Sequence, residues 1–223
     1  ATSLLPLVLF PATQVLTMRD AASPYAHPLV GLFFGGFILG LAVEKWGLHR
    51  RLSLATVLAV GTKPTRLIAG FMLATAVMSM FISNTATALM MLPIAMSVIM
   101  LLERMGQTHA NFGPALLLGI AYAASIGGTA TVTGTQPNIL TVGFLRDKGV
   151  DISWGQWLPF GLTLCAVMLP ITWLLLTRVT LPIRVEAIPG VRGLLREELS
   201  KLGRVTRGEW TVLAVFVCVA SGW

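Results

Sequence analysis

Charge is scarce in this 223-residue chain: 11% of residues are Asp, Glu, Lys or Arg, against 55% hydrophobic. A soluble domain carries about 25% charged residues, so an ordinary soluble fold is excluded. The scarcity is also uneven, and Leu67–Leu102 contains no charged residue at all. A helix that crosses a bilayer needs roughly 20 mostly apolar residues, because its backbone polar groups must be satisfied inside hydrocarbon. Several segments meet that requirement. Cysteine is nearly missing: Cys165 and Cys218 each sit inside an apolar run, which excludes a disulfide framework. The three histidines, His27, His49 and His109, fall in loops and lack metal-ligand spacing. Glu44 and Glu103 sit at span ends, and no charged residue falls at the middle of a span. That argues against a proton relay of carboxylates. A nucleophile–base pair at depth is missing too, so a membrane-embedded enzyme is not expected. There is no initial methionine and no charged leader; apolar runs stand at both ends, Ala1–Phe10 and Trp210–Trp223. The sequence therefore reads as a fragment.

What the chain does have is a series of apolar segments separated by polar ones. Ala1–Pro11 reads as the tail of a spanning helix, followed by a polar link over 17–27. Pro28–Val43 is apolar and carries Gly31, Gly35, Gly36 and Gly40, small residues of the kind that let membrane helices pack closely. Glu44–Leu54 is basic and mildly amphipathic, and with Ala55–Gly61 it predicts a helix lying in the membrane interface. Arg66–Leu102 is apolar except for Ser79, Ser83, Asn84, Thr85 and Thr87 in its middle. A polar connector, Glu103–Gly113, leads to apolar Pro114–Gly127, the Thr/Gly-rich run Gly128–Asn138 and a short apolar piece, Ile139–Leu145. Arg146–Gly155 is a loop and Gln156–Thr177 a full-length span. Arg178–Glu209 is basic and broken by Pro182 and Pro189; within it, Val191–Leu202 has the apolar spacing of an amphipathic helix. Trp46, Trp154, Trp157 and Trp210 fit interface anchors.

The 16 basic residues test this layout. All but Arg19, Arg146 and Lys148 fall in three segments, 44–66, 103–111 and 178–208. Loops rich in Lys and Arg are cytoplasmic. The three segments share that side only if Arg66–Leu102 returns to the side it entered. A pair of full spans and a re-entrant hairpin both achieve the return. Each arm has about 17 residues, or roughly 26 Å if helical, short of the roughly 30 Å core. The length mildly favours the hairpin.

Two clusters carry the chemistry: Ser79-x3-Ser83-Asn84-Thr85-Ala86-Thr87 and Gly127–Asn138. Neither contains an ionisable group, and both combine hydroxyls, amides and helix-breaking Gly or Pro inside otherwise spanning segments. Broken helices at membrane depth are tolerated where they line a cavity or are buried in protein. In secondary transporters such breaks turn half-helix N-termini toward an anion while unwound carbonyls hold a cation. Sodium takes hard oxygen ligands, which Ser, Asn and free carbonyls supply without fixed charge. A carboxylate takes N–H and O–H donors, and the two ends of Asn84 suit both partners. Ser79 lies one helical turn before Ser83. The glycine-threonine run is no phosphate-binding loop, since no Gly-Lys-Ser/Thr follows it.

The stretches SLLPLVLFP (3–11), FFGGFILGLAVEKWGLHRRLSL (33–54), SNTATALMMLPIA (83–95) and IGGTATVTGTQPNIL (126–140) resemble the divalent anion/sodium symporter family. That family includes the sodium–dicarboxylate, citrate and sulfate cotransporters. The resemblance implies that Ser83-Asn84-Thr85 lies at the tip of a re-entrant hairpin, with Asn84, Thr85 and Thr135 contacting a substrate carboxylate. It implies a sodium site from Ser79, Ser83, Asn84 and Gly134, and an unwound helix over Thr133–Asn138. It further implies a second, inverted copy of this half carrying a second sodium site, and a homodimer. Gln136 stands where the family more often has glycine or proline.

The expected fold is all-α and polytopic transmembrane, with a re-entrant helical hairpin and a broken helix, as the first half of an inverted-repeat transporter. Its parts are scaffold spans plus an interfacial helix (1–62), the hairpin (63–105), and the broken transport helix with the following span (106–177). A cytoplasmic amphipathic linker (178–208) and the start of another span (209–223) complete it. The expected activity is sodium-coupled symport of dicarboxylates or related divalent anions across the cell membrane. Sodium-independent exchange by the same family is the alternative. The expected partners are a small dicarboxylate, the lipid bilayer, a second copy of the chain and the C-terminal half, and no nucleic acid.

Overall fold

The computed structural model describes residues 2–26, 28–61, 63–104, 110–183 and 190–222. The expectations for His27, His109, Arg184 and Pro189 fall outside those residues. Everything described is helix, turn or loop, with no strand among the described residues. In chain order the helices are α1 (Leu5–Ala12), α2 (Met18–Ala22), α3 (Pro28–Lys45), α4 (Leu48–Val60), α5 (Pro64–Ser79) and α6 (Asn84–Arg104). They continue with α7 (Phe112–Gly128), α8 (Gln136–Asp147), α9 (Trp154–Leu174), α10 (Val191–Lys201) and α11 (Arg207–Gly222). A widened turn, Leu175–Thr180, extends α9.

Local chemistry sets most of the boundaries. Pro64 opens α5, where its missing N–H costs nothing, and the residue before it is extended. Ser83 caps α6 by accepting the Ala86 N–H at 3.3 Å. Ser153 and Gln156 form a reciprocal capping box at the start of α9. Thr206 and Glu209 do the same for α11, each side chain accepting the other's backbone N–H. The polar link over 17–27 is not extended: the Thr17 side chain accepts the Asp20 N–H at 3.2 Å and starts α2.

α5 is the central helix, packed between α4 and α7. Leu67, Ile68, Phe71, Met72, Ala74, Thr75 and Ala76 are all essentially inaccessible. α6 covers α5 and α7, α9 covers α7, and α10 sits on α4 and α6. α5 and α7 approach unusually closely: a Cβ built on Gly127 would lie 2.2 Å from the Ala76 carbonyl oxygen. Only glycine permits that crossing.

Two expectations are refined. α6 runs through Glu103 and Arg104 to 21 residues, about 31 Å, whereas α5 has 16 residues, about 24 Å. The two arms are unequal, and length alone no longer separates a hairpin from a pair of spans. α4 does not lie free on a surface; it folds back along α5, burying Leu48, Ser53, Leu54 and Val57. Its outward end is tied down by Arg51, which pairs with Glu209 at 2.9 Å and donates to the Gly203 and Leu202 carbonyls. Arg50 pairs with Glu198 of α10 at 2.6 Å. α6 (21 residues) and the combined helix Trp154–Thr180 (27 residues) are long and apolar enough to cross a membrane.

The α5–α7 crossing is directly testable in the full-length protein. Gly127→Ala should cost about 3 kcal/mol by forcing two backbones apart. Gly113→Ala, whose new methyl meets only Ile99 at 3.7 Å, should change stability by less than about 0.5 kcal/mol. Thermal unfolding in detergent reads both. Breaking the buried ion pair with Arg51→Ala should lower the melting temperature by several degrees, and the double variant R51M/E209M should recover part of it.

Candidate functional site

The turn between α5 and α6 and the interruption between α7 and α8 lie against each other, and the site is built where they meet. Ser79, at the end of α5, is fully buried. Its Oγ lies 2.7 Å from Asn84 Oδ1 and 2.6 Å from the Ala124 carbonyl oxygen of α7. A hydroxyl has one proton and can donate to one of those acceptors at a time. Three oxygens thus converge, and the Ser79 hydroxyl supplies one proton to the other two.

The interruption, residues 129–135, strands several carbonyls, and those of Thr129 and Thr131 have side-chain partners. Asn138 is buried, and its Nδ2 donates to the carbonyls of Thr131 at 2.8 Å, Gly128 at 3.1 Å and Thr129 at 3.3 Å. Trp157 Nε1 donates to the Thr129 carbonyl at 3.2 Å. The Thr131 hydroxyl donates to the Met80 carbonyl and thereby pins the interruption to the α5–α6 turn. Trp157, expected as an interface anchor, also braces the broken segment. Glycines permit the close approach. A Cβ on Gly128 would lie 2.4 Å from Asn84 Oδ1, and one on Gly134 would lie 2.5 Å from the Gly128 carbonyl oxygen. A Cβ on Gly161 of α9 would meet the Ala130 carbonyl oxygen at 2.4 Å.

Above this layer is a cavity of about 610 Å³. Its polar wall is Ser83, Asn84, Thr85, Thr133, Gly134, Thr135 and Gln136. The N-termini of α6 (Asn84) and α8 (Gln136) both open onto it with their positive dipole ends, although Ser83 Oγ takes the Ala86 N–H, the Thr135 carbonyl takes the Asn138 N–H and Pro137 has none. Helix ends of this kind attract anions. Of the residues expected from the sequence, Ser83, Asn84, Thr85, Gly134 and Thr135 line this one cavity, while Ser79 lies beneath it, joined through Asn84. Thr135 occupies the N-cap position of α8, yet its side chain makes no capping bond. Glu44, read as a span-end residue, lines the same cavity. Asn138 was not among the expected site residues. Its signal was local: an amide directly after Pro137, at the start of a helix preceded by four threonines, Thr129, Thr131, Thr133 and Thr135.

Replacing the clamp tests this architecture. Asn138→Leu removes the donor to three buried carbonyls and should destabilise the protein by about 2–3 kcal/mol. Asn138→Asp should do no better, because a carboxylate cannot donate. Melting temperatures of the two variants beside the parent protein check the expectation.

The geometry is matched by likeness to known proteins. The family model described as CitMHS, citrate transporter, matches residues 1–222. The sodium-dependent dicarboxylate transporter SdcS of Staphylococcus aureus strain USA300 is 36% identical over 230 residues, covering 100% of this chain and 44% of that protein. The same transporters from strains NCTC 8325 and COL give the same identity and coverage. The chain spans less than half the length of these curated relatives, which are transporters and not enzymes. The family match passes through the α5–α6 turn, the interrupted helix and the cavity that they line, and the chain belongs to the citrate transporter family of membrane proteins.

Proposed function

We propose that the full-length protein is a sodium-coupled symporter of small dicarboxylates, and that this chain supplies one of its cation sites and part of its anion site. The observation that carries the reading is the Ser79–Asn84–Ala124 oxygen cluster, with one hydroxyl proton for three oxygens, set directly below a cavity that receives two helix N-termini. Sodium would sit among Ser79, Asn84 and backbone carbonyls near Ser83 and Gly134. Sodium held by Asn84 Oδ1, which already faces Ser79, fixes the amide with its N–H2 end toward the cavity. A substrate carboxylate would then take donors from Asn84, Thr85, Thr135 and the first N–H groups of α6 and α8. Cation binding thereby builds the anion site, which is the linkage that symport requires.

The finer assembly belongs to the same proposal. The α5–α6 unit acts as a re-entrant hairpin, and the remainder of the protein, as an inverted second copy, supplies the other half-site. Two such chains form a homodimer. The basic segments 44–66, 103–111 and 178–208 lie on the cytoplasmic side. Supporting a common side, Arg50–Glu198 and Arg51–Glu209 link the first segment to the third and its boundary, and the Asn111 amide, at the end of the second, donates to the Pro182 carbonyl at 3.2 Å.

Uptake of radiolabelled succinate into proteoliposomes holding the full-length protein tests the reading. An inward sodium gradient should drive uptake, and potassium should not replace it. Asn84→Ala should reduce uptake by about 100-fold or more, and Ser79→Ala should raise the sodium half-saturation by about 10-fold, the loss of one charge-assisted ligand. Uptake indifferent to sodium but driven by internal succinate would mean exchange, and would overturn the cation role of Ser79.

A further inference from the structure

The cavity has a second wall, and it carries the opposite charge. Gly36, Gly40 and Glu44 recur at intervals of four and so share one face of α3. The two glycines bring that face against both interruptions. A Cβ on Gly36 would meet Thr133 at 3.6 Å, and one on Gly40 would meet the Phe81 carbonyl oxygen at 3.4 Å. The next position on the stripe is Glu44, and it is among the residues that line the cavity, as are Ser83, Asn84 and Thr85. No Lys, Arg or His lines this cavity, and no ion-pair partner for Glu44 is present among the described residues. α3 ends at Lys45, so the negative end of its dipole lies one residue from Glu44.

We infer that Glu44 is a specificity-determining residue: it makes one wall of the anion cavity attractive to sodium and repels the dianion until sodium has arrived. The inference rests on the proposed symport and deepens it. A dianion entering this cavity meets two positive helix ends but no cationic side chain, and one carboxylate that opposes it. Anion without cation is disfavoured, while sodium is concentrated at the mouth of the oxygen cluster. The field of an exposed carboxylate is modest and screened by salt, so its effect is kinetic and thermodynamic tuning rather than an absolute requirement. Order of binding follows: cation first, then anion.

The test is a sodium titration of succinate uptake by the full-length protein in proteoliposomes at low ionic strength, with Glu44→Gln, Glu44→Ser and Glu44→Asp beside the parent. E44Q and E44S should raise the sodium half-saturation by about 3- to 10-fold, with succinate KM at saturating sodium unchanged or lower. E44D keeps the charge and should match the parent. Raising ionic strength with choline chloride should shrink the difference between parent and E44Q, which a merely structural defect would not show. Sodium-driven uptake with the same half-saturation in parent, E44Q and E44S overturns the inference and leaves the symport reading standing. If the parent itself shows no sodium dependence, the symport reading fails, a result separate from any effect of Glu44.

Discussion

A helix that stops inside an apolar body leaves carbonyls with nowhere to go, and this constraint organises the structure. Residues 129–135 interrupt α7–α8, and Ala130, Thr131, Val132 and Gly134 among them are buried. Every solution to that problem is visible in the hydrogen bonds: the Asn138 amide spans three carbonyls, the Trp157 indole takes a fourth interaction, and the Thr131 hydroxyl reaches across to the α5–α6 turn. One cluster, around Ser79, Asn84 and Ala124, gathers three oxygens about a single hydroxyl proton. Buried oxygens without donors are expensive unless something cationic joins them. The functional proposal is that sodium does so.

Close backbone approach is the second theme, and it follows from the first. The oxygens converge only because Gly127, Gly128, Gly134 and Gly161 allow backbones and an amide to occupy space that a Cβ would fill. The glycines of α3 act alike, laying that helix against both interruptions and carrying Glu44 to the cavity. Away from this centre, large apolar side chains such as Leu140, Val179 and Phe34 are exposed at 68–71%, a surface suited to lipid or to the rest of the protein. Stability is thus concentrated around α5, and the elements that meet the cavity are held by few, specific contacts.

Much of this was readable in the sequence because it is local. The break at Gly128–Asn138 and the polar turn at Ser83–Asn84–Thr85 announce themselves by Gly, Pro and hydroxyl residues in apolar context, and the helices begin and end close to those positions. The amphipathic pattern of α10 and the full span of α9 were legible for the same reason. What was not legible depends on partners distant in the chain. Arg51 and Glu209 are far apart in sequence, and neither has a local signature of pairing. Trp157 reads only as an interface anchor until Thr129 is seen beside it. Glu44 looks like a solvated helix end until the glycine stripe is traced to what it touches. The arm lengths misled because Glu103 and Arg104, read as connector, continue α6 by helical hydrogen bonding.

The central claim is that Ser79 and Asn84 form a cation site which exists before the anion arrives. Equilibrium binding of radioactive sodium to the purified full-length protein, with no dicarboxylate present, measures this most directly. The account predicts saturable sodium binding that weakens about 10-fold in Ser79→Ala, as loss of one ligand should give. Sodium binding that appears only when a dicarboxylate is added, or that Ser79→Ala leaves unchanged, would contradict it.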